Sequence, residues 1–346
     1  MTAEHGLDAA RLTDYLEGHL AGFHGPVRIE KFPHGQSNPT FRIETPSGAI
    51  VLRRQPPGEL LKSAHAVDRE YRVLSALRNS HVPVPEVFHL CTDDAVIGSW
   101  FYVMEYVEGR VFLDPALPDL TPGQRGRVYD ETNRVLAAIH TVDLDAVQLG
   151  NFGRPGNYYE RQVSRWTKQY RASETRRIEP MEALMDWLPR HIPPDDGRVS
   201  LIHGDYRLDN VMFAPDKLEL VAVFDWELST LGHPLADLAY MCMQRRLGRD
   251  LFIRGIAGLD LAALGIPSEP DFLKLYCRRT GLSDVEPWSF YLACSFFRLA
   301  AICQGVLKRA LDGNASNERA SELGTMVEPL AALGMEAVLS PDAPVQ

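Results

Sequence analysis

The chain has 346 residues, 45% of them hydrophobic and 24% charged, the balance of a folded globular protein and not of a disordered or fibrous one. Its formal charge of -10 argues against nucleic acid and anionic membranes as partners, because both require a basic surface. At about 150 residues per domain the length predicts two lobes, which the change of pattern described below puts at 1–108 and 109–346. The nearest approach to a membrane span, Leu292 to Cys303, is interrupted by Arg298, so no transmembrane helix is expected. The opening stretch MTAEHGLDAARLTDYLEGHL is acidic and amphipathic, unlike a secretory leader. Five widely spaced cysteines without a Cys-x-x-Cys pair read as buried thiols in a reducing cytoplasm.

Leu12, Leu16 and Leu20 recur at helical spacing and predict an opening helix. Strands are expected over 27–33, 39–45 and 49–54, with Pro46-Ser47-Gly48 breaking the last two. Ser63 reads as the N-cap of a helix carrying Val67, Tyr71, Leu74 and Leu77 on one face. Two further strands follow, near 85–91 and 97–107, turned by Thr92-Asp93-Asp94. Beyond Glu108-Gly109 the period becomes helical, over roughly 121–140, 157–173, 175–190, 234–247, 284–312 and 317–335. A strand over 199–202 and a hairpin in VMFAPDKLELVAVFD interrupt it. The fold class is therefore α+β, a small antiparallel sheet lobe followed by a mainly helical one. The last residues, SPDAPVQ, are expected to fray.

The apolar strand 199–202 runs into His203-Gly204-Asp205-Tyr206-Arg207-Leu208-Asp209-Asn210, and fifteen residues after Asn210 a second apolar strand ends in Asp225-Trp226-Glu227. Any one of these Asp or Asn residues is ordinary turn chemistry. Together they match the needs of phosphoryl transfer: a carboxylate to orient and deprotonate a hydroxyl, and oxygen ligands for a nucleotide-bound Mg²⁺. Asp205 suits the first task, Asn210 and Asp225 the second. The order, Asp, then Asn five residues on, then a metal Asp after the next strand, is that of kinase catalytic loops. His203 is expected to be a hydrogen-bonded structural residue.

The stretches FPHGQSNPTFRI, LLKSAHAVDREYRVLSAL, FYVMEYVEGRVF, HGDYRLDNVMF and VFDWELSTLGHPLADLAY resemble the aminoglycoside phosphotransferase and choline kinase-like family, over roughly residues 28 to 310. The chain is most similar to the kinase-like domains fused to, or encoded beside, acyl-CoA dehydrogenases. The resemblance implies a bilobal protein-kinase-like fold, ATP and Mg²⁺ as cofactors, Asp205 as catalytic base, Asn210 and Asp225 as Mg²⁺ ligands, and adenine held by the backbone of Glu105 to Val107. Gly35-Gln36-Ser37-Asn38 sits between two strands, where exposed N–H groups and the short side chains of Gln36, Ser37 and Asn38 could cover phosphates, although a plain hairpin turn would read the same. The family pairs a strand Lys with a helix Glu against the phosphates; here Arg53 stands in the strand and Glu70 in the helix, so a planar fork is expected to grip phosphate and Glu70 together. Asp237 resembles the helix carboxylate that braces the catalytic loop. No Ala-Pro-Glu segment follows Asp225, which disfavours a protein kinase.

From Arg154 to Arg177 seven basic residues face two acidic ones, and from Met241 to Asp312 ten face seven. A basic substrate wall in an acidic protein suits an anionic acceptor and not a polycationic aminoglycoside. Arg161, Arg165 and Lys168 share one helical face, with Tyr159, Val163, Trp166 and Tyr170 on another. The expectation is a kinase acting on the hydroxyl of a small, anionic molecule of the hydroxyacyl-CoA type, in functional association with an acyl-CoA dehydrogenase. The alternatives are an inactive nucleotide-binding module, suggested by Arg53 and the glycine-poor turn, and an aminoglycoside- or choline-type kinase.

Overall fold

The computed structural model describes residues 6–32, 38–56, 66–313 and 320–339. They form two compact units, one of residues 1–109 with 221–228, the other of 110–220 with 229–346.

The first unit opens with helix α1 (Ala9–His19), capped by the Asp8 side chain on the Arg11 N–H, with Leu12 and Leu16 buried. Strands β1 (Arg28–Lys31), β2 (Thr40–Thr45), β3 (Gly48–Arg54), β4 (Val87–Cys91) and β5 (Phe101–Glu105) make one antiparallel sheet in the order β1-β2-β3-β5-β4. Phe41, Ile43, Leu52, Phe101 and Val103 bury one face against Leu12 and Leu16, each side chain contributing roughly 1.5 to 3 kcal/mol. Helix α2 (Val67–Leu77) buries Val67, Val73, Leu74 and Leu77 and, among these apolar residues, Glu70. Its N-cap is Ala66; the Ser63 expected there lies outside the described residues. The strand expected over 97–107 is shorter than the apolar pattern suggests. Asp93 caps a single helical turn, α3 (Asp94–Ile97), which Gly98 ends at φ +81°, so the strand begins only at Phe101.

The second unit contains helices α4 (Pro122–His140), α5 (Tyr158–Ser173), α6 (Glu179–Trp187), α7 (Leu235–Cys242), α8 (Leu261–Leu264), α9 (Glu269–Thr280), α10 (Trp288–Leu311), α11 (Ala320–Gly324) and α12 (Val327–Leu339). Strand β6 (Ser200–Ile202) pairs with β9 (Thr230–Gly232), antiparallel, Ser200 opposite Gly232. Between them in sequence come β7 (Val211–Phe213) and β8 (Leu220–Val223), the arms of the expected hairpin, its turn closed by the Ala214 N–H on the Glu219 carbonyl; from Val221 onward β8 belongs to the first unit. Gly232 is required by close approach: a Cβ there would meet the Tyr158 ring at 2.6 Å and the Ile202 side chain at 2.7 Å. Helix α10 packs against α5, α7, α11 and α12. By length and composition α10 could cross a membrane, yet 78% of its apolar window is buried within the fold, so its apolarity is that of a core helix. Helix α9 is absent from the periodicity because it buries only Glu269, Phe272 and Tyr276. Its ends are nonetheless written in the sequence: Ser268 caps the Asp271 N–H, Pro270 sits in the first turn and Gly281 closes the end at φ +74°.

Candidate active site

In the second unit, β6 delivers the chain into the Asp205 loop, and a buried carboxylate holds that loop. Asp237 of α7 accepts the His203 N–H at 2.6 Å on Oδ2 and the Gly204 N–H at 2.8 Å on Oδ1. His140 of α4 places Nε2 3.3 Å from Asp237 Oδ2, and its Nδ1 lies 2.6 Å from the Tyr276 hydroxyl of α9. Because a carboxylate only accepts, His140 Nε2 carries the hydrogen, which leaves Nδ1 to accept from Tyr276 in the neutral ring. Burial opposes the charge on Asp237, but His140, His203 and the Gly204 N–H prevail, and its carboxyl stands below the ordinary carboxylate range. His203 is fully buried, and its Nδ1 accepts the Asp205 N–H at 3.2 Å, the structural role expected of it.

Asp205 and Asn210 are both half-buried. The Asn210 amide nitrogen donates to the Asp205 carbonyl at 2.8 Å and to Oδ2 at 2.9 Å. That orientation commits the NH₂ group and leaves the amide oxygen, a hard donor suited to Mg²⁺, outside these bonds. The Tyr240 hydroxyl is hydrogen-bonded to the Asp205 carboxylate; burial first, then that charge, raises the phenol above its ordinary value. Arg298, the charge that interrupts the apolar run of α10, donates from Nη2 to the Gly204 carbonyl at 2.6 Å, with its guanidinium 5.7 Å from the Trp166 ring and 5.3 Å from that of Tyr240. Sequence reasoning missed Arg298, and the signal was that lone cation among apolar neighbours.

In the first unit, strand register builds a charged cluster. Arg53 of β3 lies opposite Thr40 of β2 and Tyr102 of β5, and α2 supplies Glu70. Arg53 is 8% exposed; its Nε lies 2.8 Å from Glu70 Oε2, Nη2 2.5 Å from Asp225 Oδ1 and Nη1 3.4 Å from Thr40 Oγ1. Glu70 also accepts from Asn38 Nδ2 at 2.7 Å and from the Tyr102 hydroxyl at 3.1 Å. Burial works against the guanidinium charge, but Glu70 and Asp225 outweigh it, so Arg53 titrates above its ordinary value and stays charged. Asp225 adopts φ +61°, a left-handed backbone that costs a non-glycine residue on the order of 1 kcal/mol and is common at functional loops. Among the described residues, one group of three potential metal-ligating side chains has its donor atoms within 4.8 Å of one another: Glu70, Asp225 and Glu227. An all-oxygen set of this kind fits a hard cation.

Several expectations are changed by this geometry. The Arg53 fork spans Glu70 and Asp225, where the sequence suggested Glu70 and phosphate. Asn38 turns its fully buried side chain onto Glu70 instead of presenting it to phosphates. Gln36 and Ser37 lie outside the described residues. The Glu105 N–H is committed to the Glu86 carbonyl at 2.8 Å, so the adenine contact expected over Glu105 to Val107 cannot use that N–H. On α5, Tyr159, Val163, Trp166 and Tyr170 are buried as expected. Arg161, Arg165 and Lys168 do come together, lining an open depression with Glu160 and Ser164. Arg161 is bound to the carbonyls of Gly156 and Arg154, and Arg165 lies 5.2 Å from the Trp166 ring. The basic wall is weaker than the count of charges implied, because Arg171, Arg176 and Arg177 pair with Glu182, Glu328 and Glu179, and Arg246, Arg249 and Arg279 with Glu269, Asp114 and Asp130. All of these partners except Glu269 lie outside the counted windows.

A braced Asp and Asn on one loop and a strand arginine held by a helix glutamate define a phosphotransferase with a protein-kinase-like fold. The model of the phosphotransferase enzyme family that includes the aminoglycoside phosphotransferases matches residues 28–276. The chain belongs to that family. A crystal structure from Ralstonia eutropha JMP134, provisionally named an aminoglycoside phosphotransferase, is 50% identical with a TM-score of 0.88, covering 96% of this chain and 99% of that one. Spectinomycin phosphotransferase, solved with ADP and spectinomycin, shares the fold at 12% identity and a TM-score of 0.62, over 96% of this chain and 99% of its own. Among curated relatives, mouse acyl-CoA dehydrogenase family member 10 is 48% identical over 94% of this chain and 30% of its own length, and human family member 11 is 41% identical over 96% and 43%. The chain spans less than half the length of these relatives.

Proposed function

We propose that the chain transfers the γ-phosphoryl group of ATP to a hydroxyl of a small, anionic acceptor. Asp205 takes the hydroxyl proton, while Arg53, kept charged by Glu70, balances phosphate charge. Asn210, Asp225 and Glu227 supply the oxygen atoms that would hold Mg²⁺, and the metal when bound neutralises the phosphates of the nucleotide. The observation that carries this reading is the Asp205–Asn210 contact at 2.9 Å on a loop fixed by Asp237. Relatives named acyl-CoA dehydrogenases support an acyl-CoA-like acceptor and a functional association with such a dehydrogenase. The test is ATP turnover against a panel of hydroxylated anions, including 3-hydroxyacyl-CoAs, beside neutral alcohols and polycationic aminoglycosides. Turnover stimulated by an anion supports the reading; stimulation by aminoglycosides alone overturns its acceptor. A second reading, nucleotide binding without transfer, is favoured by the 2.5 Å Arg53–Asp225 pair, which occupies a metal-ligand oxygen. It predicts ATP binding with no turnover against any acceptor.

A further inference from the structure

The buried stretch of α10 carries a single charge, Arg298, between Phe296 and Phe297 on one side and Leu299 and Ala300 on the other, all four buried. Other half-buried arginines of the second unit are matched by carboxylates: Arg207 by Asp209, Arg246 by Glu269, Arg249 by Asp114 and Arg279 by Asp130. Arg298 is also half-buried, yet among the described residues it has no carboxylate partner and one hydrogen bond, from Nη2 to the Gly204 carbonyl at 2.6 Å. Its Nε and Nη1 make no hydrogen bond, and neither is sealed from solvent. Half-burying a cation without a counter-ion is unfavourable, and the attraction of the Trp166 and Tyr240 rings offsets only part of that cost. The guanidinium therefore has donors to offer and charge to neutralise.

Its position gives those donors a use. The Gly204 carbonyl that Arg298 holds belongs to the peptide unit leading directly into Asp205. A second link runs through Tyr240, whose ring lies 5.3 Å from the guanidinium and whose hydroxyl is bonded to the Asp205 carboxylate. Cation and base are thus neighbours on one loop. A hydroxyl in hydrogen-bond reach of Asp205 has the rest of its molecule only a few bonds away, and that part of the molecule meets Arg298. A planar fork of N–H donors favours an sp² oxygen, above all a carboxylate, and repels a polycation.

We propose that Arg298 selects the acceptor: its unused N–H groups bind a carboxyl or thioester oxygen a few bonds from the hydroxyl offered to Asp205, so the acceptor class is a short hydroxy acid or its thioester. This rests on the phosphoryl-transfer reading and narrows its anionic acceptor. The test is calorimetric titration of the full chain with 3-hydroxybutyrate, 3-hydroxybutyryl-CoA and 1,3-butanediol, which keeps the hydroxyl and lacks the carbonyl oxygen. Wild type, Arg298→Lys and Arg298→Gln are compared, with ATP affinity and ATP turnover measured alongside. At least one carbonyl compound is expected to saturate wild type, about tenfold or more tighter than the diol, and to bind Arg298→Gln about tenfold more weakly, as loss of a charge-assisted hydrogen bond implies. Which one binds identifies acid or thioester as the source of the oxygen. Arg298→Lys keeps a charge at the site and serves if the Gln variant does not fold; a compact ammonium cannot hold Gly204 and the oxygen together, so affinity should fall by about threefold or more while ATP affinity stays unchanged. Failure of both carbonyl compounds to saturate, a diol that binds as tightly, unchanged affinity in the variants, or an equal loss of ATP affinity would each overturn the proposal. Arg298-dependent binding without ATP consumption would support the Arg298 assignment and overturn phosphoryl transfer instead.

Discussion

The two halves of the catalytic machinery are prepared differently. In the second unit the backbone is held by residues outside the working pair: Asp237 and Arg298 spend their hydrogen bonds on the backbone of His203 and Gly204, while the half-buried Asp205 and Asn210 are joined to each other. In the first unit the working groups support one another, since Arg53 is tied to Glu70 and to the proposed metal ligand Asp225. A preorganised loop needs no rearrangement when substrate arrives, whereas a closed ion-pair cluster must exchange one of its partners for metal or phosphate. Function on this account is limited by geometry in the one and by competition between charges in the other.

The sharpest way to break the comparison is at Asp205. Asp205→Asn should lower kcat by about 10² to 10⁴, the range for loss of general-base assistance, with ATP affinity unchanged. Unaltered kcat would remove Asp205 from the reaction. Asp237→Asn should act through the fold instead, costing about 3 kcal/mol in urea unfolding at neutral pH, because two buried N–H groups lose a charged acceptor. The pH dependence has a definite sign. The folded-state pKa of Asp237 is depressed, so its contribution is present above the unfolded value of about 4 and is lost as pH falls through the folded value. Asp237→Asn should therefore flatten the acid limb of the stability profile below about pH 4. An equally steep limb in the variant would show that other carboxylates set it.

Replacing Arg161, Arg165 and Lys168 together by Gln should lower kcat/KM for an anionic acceptor by about tenfold, less at high salt, since each exposed contact contributes at most about 1 kcal/mol. Kinetics independent of the substitutions at low salt would make this face solvated surface only. The smallest effect concerns Arg53. Lysine is a compact charge that can keep Glu70 but not span to Asp225, so Arg53→Lys should lower the Mg²⁺ concentration needed for half-maximal ATP binding by about two- to fivefold, as expected for a partly exposed ion pair. An unchanged Mg²⁺ requirement would show that the Arg53–Asp225 contact does not compete with metal.

How much of this was legible in the sequence depended on the range of the interaction. Asp205, Asn210 and Asp225 stand at fixed offsets beside apolar strands, and the buried face of α5 follows from a period of 3.6, so local spacing revealed both. The brace behind the loop did not follow from spacing, because His140, Asp237 and Tyr276 are brought together from three helices. Asp237 entered only through resemblance, and His140 and Tyr276 had no local signal. Net charge misled for the same reason: Arg176 finds Glu328, 152 residues away. Short elements failed differently. The turn α3 and the three-residue β9 carry too few residues for periodicity to register, although the caps of α3, like those of α9, were readable.

The central claim, that Asp225 and its neighbours form a working metal-nucleotide site, is tested most directly by titrating ATP into the full chain calorimetrically, with and without Mg²⁺, in wild type and Asp225→Ala. The account predicts saturable binding that strengthens with Mg²⁺ in wild type and loses that dependence in the variant. Binding of equal strength with and without the metal in wild type would contradict it.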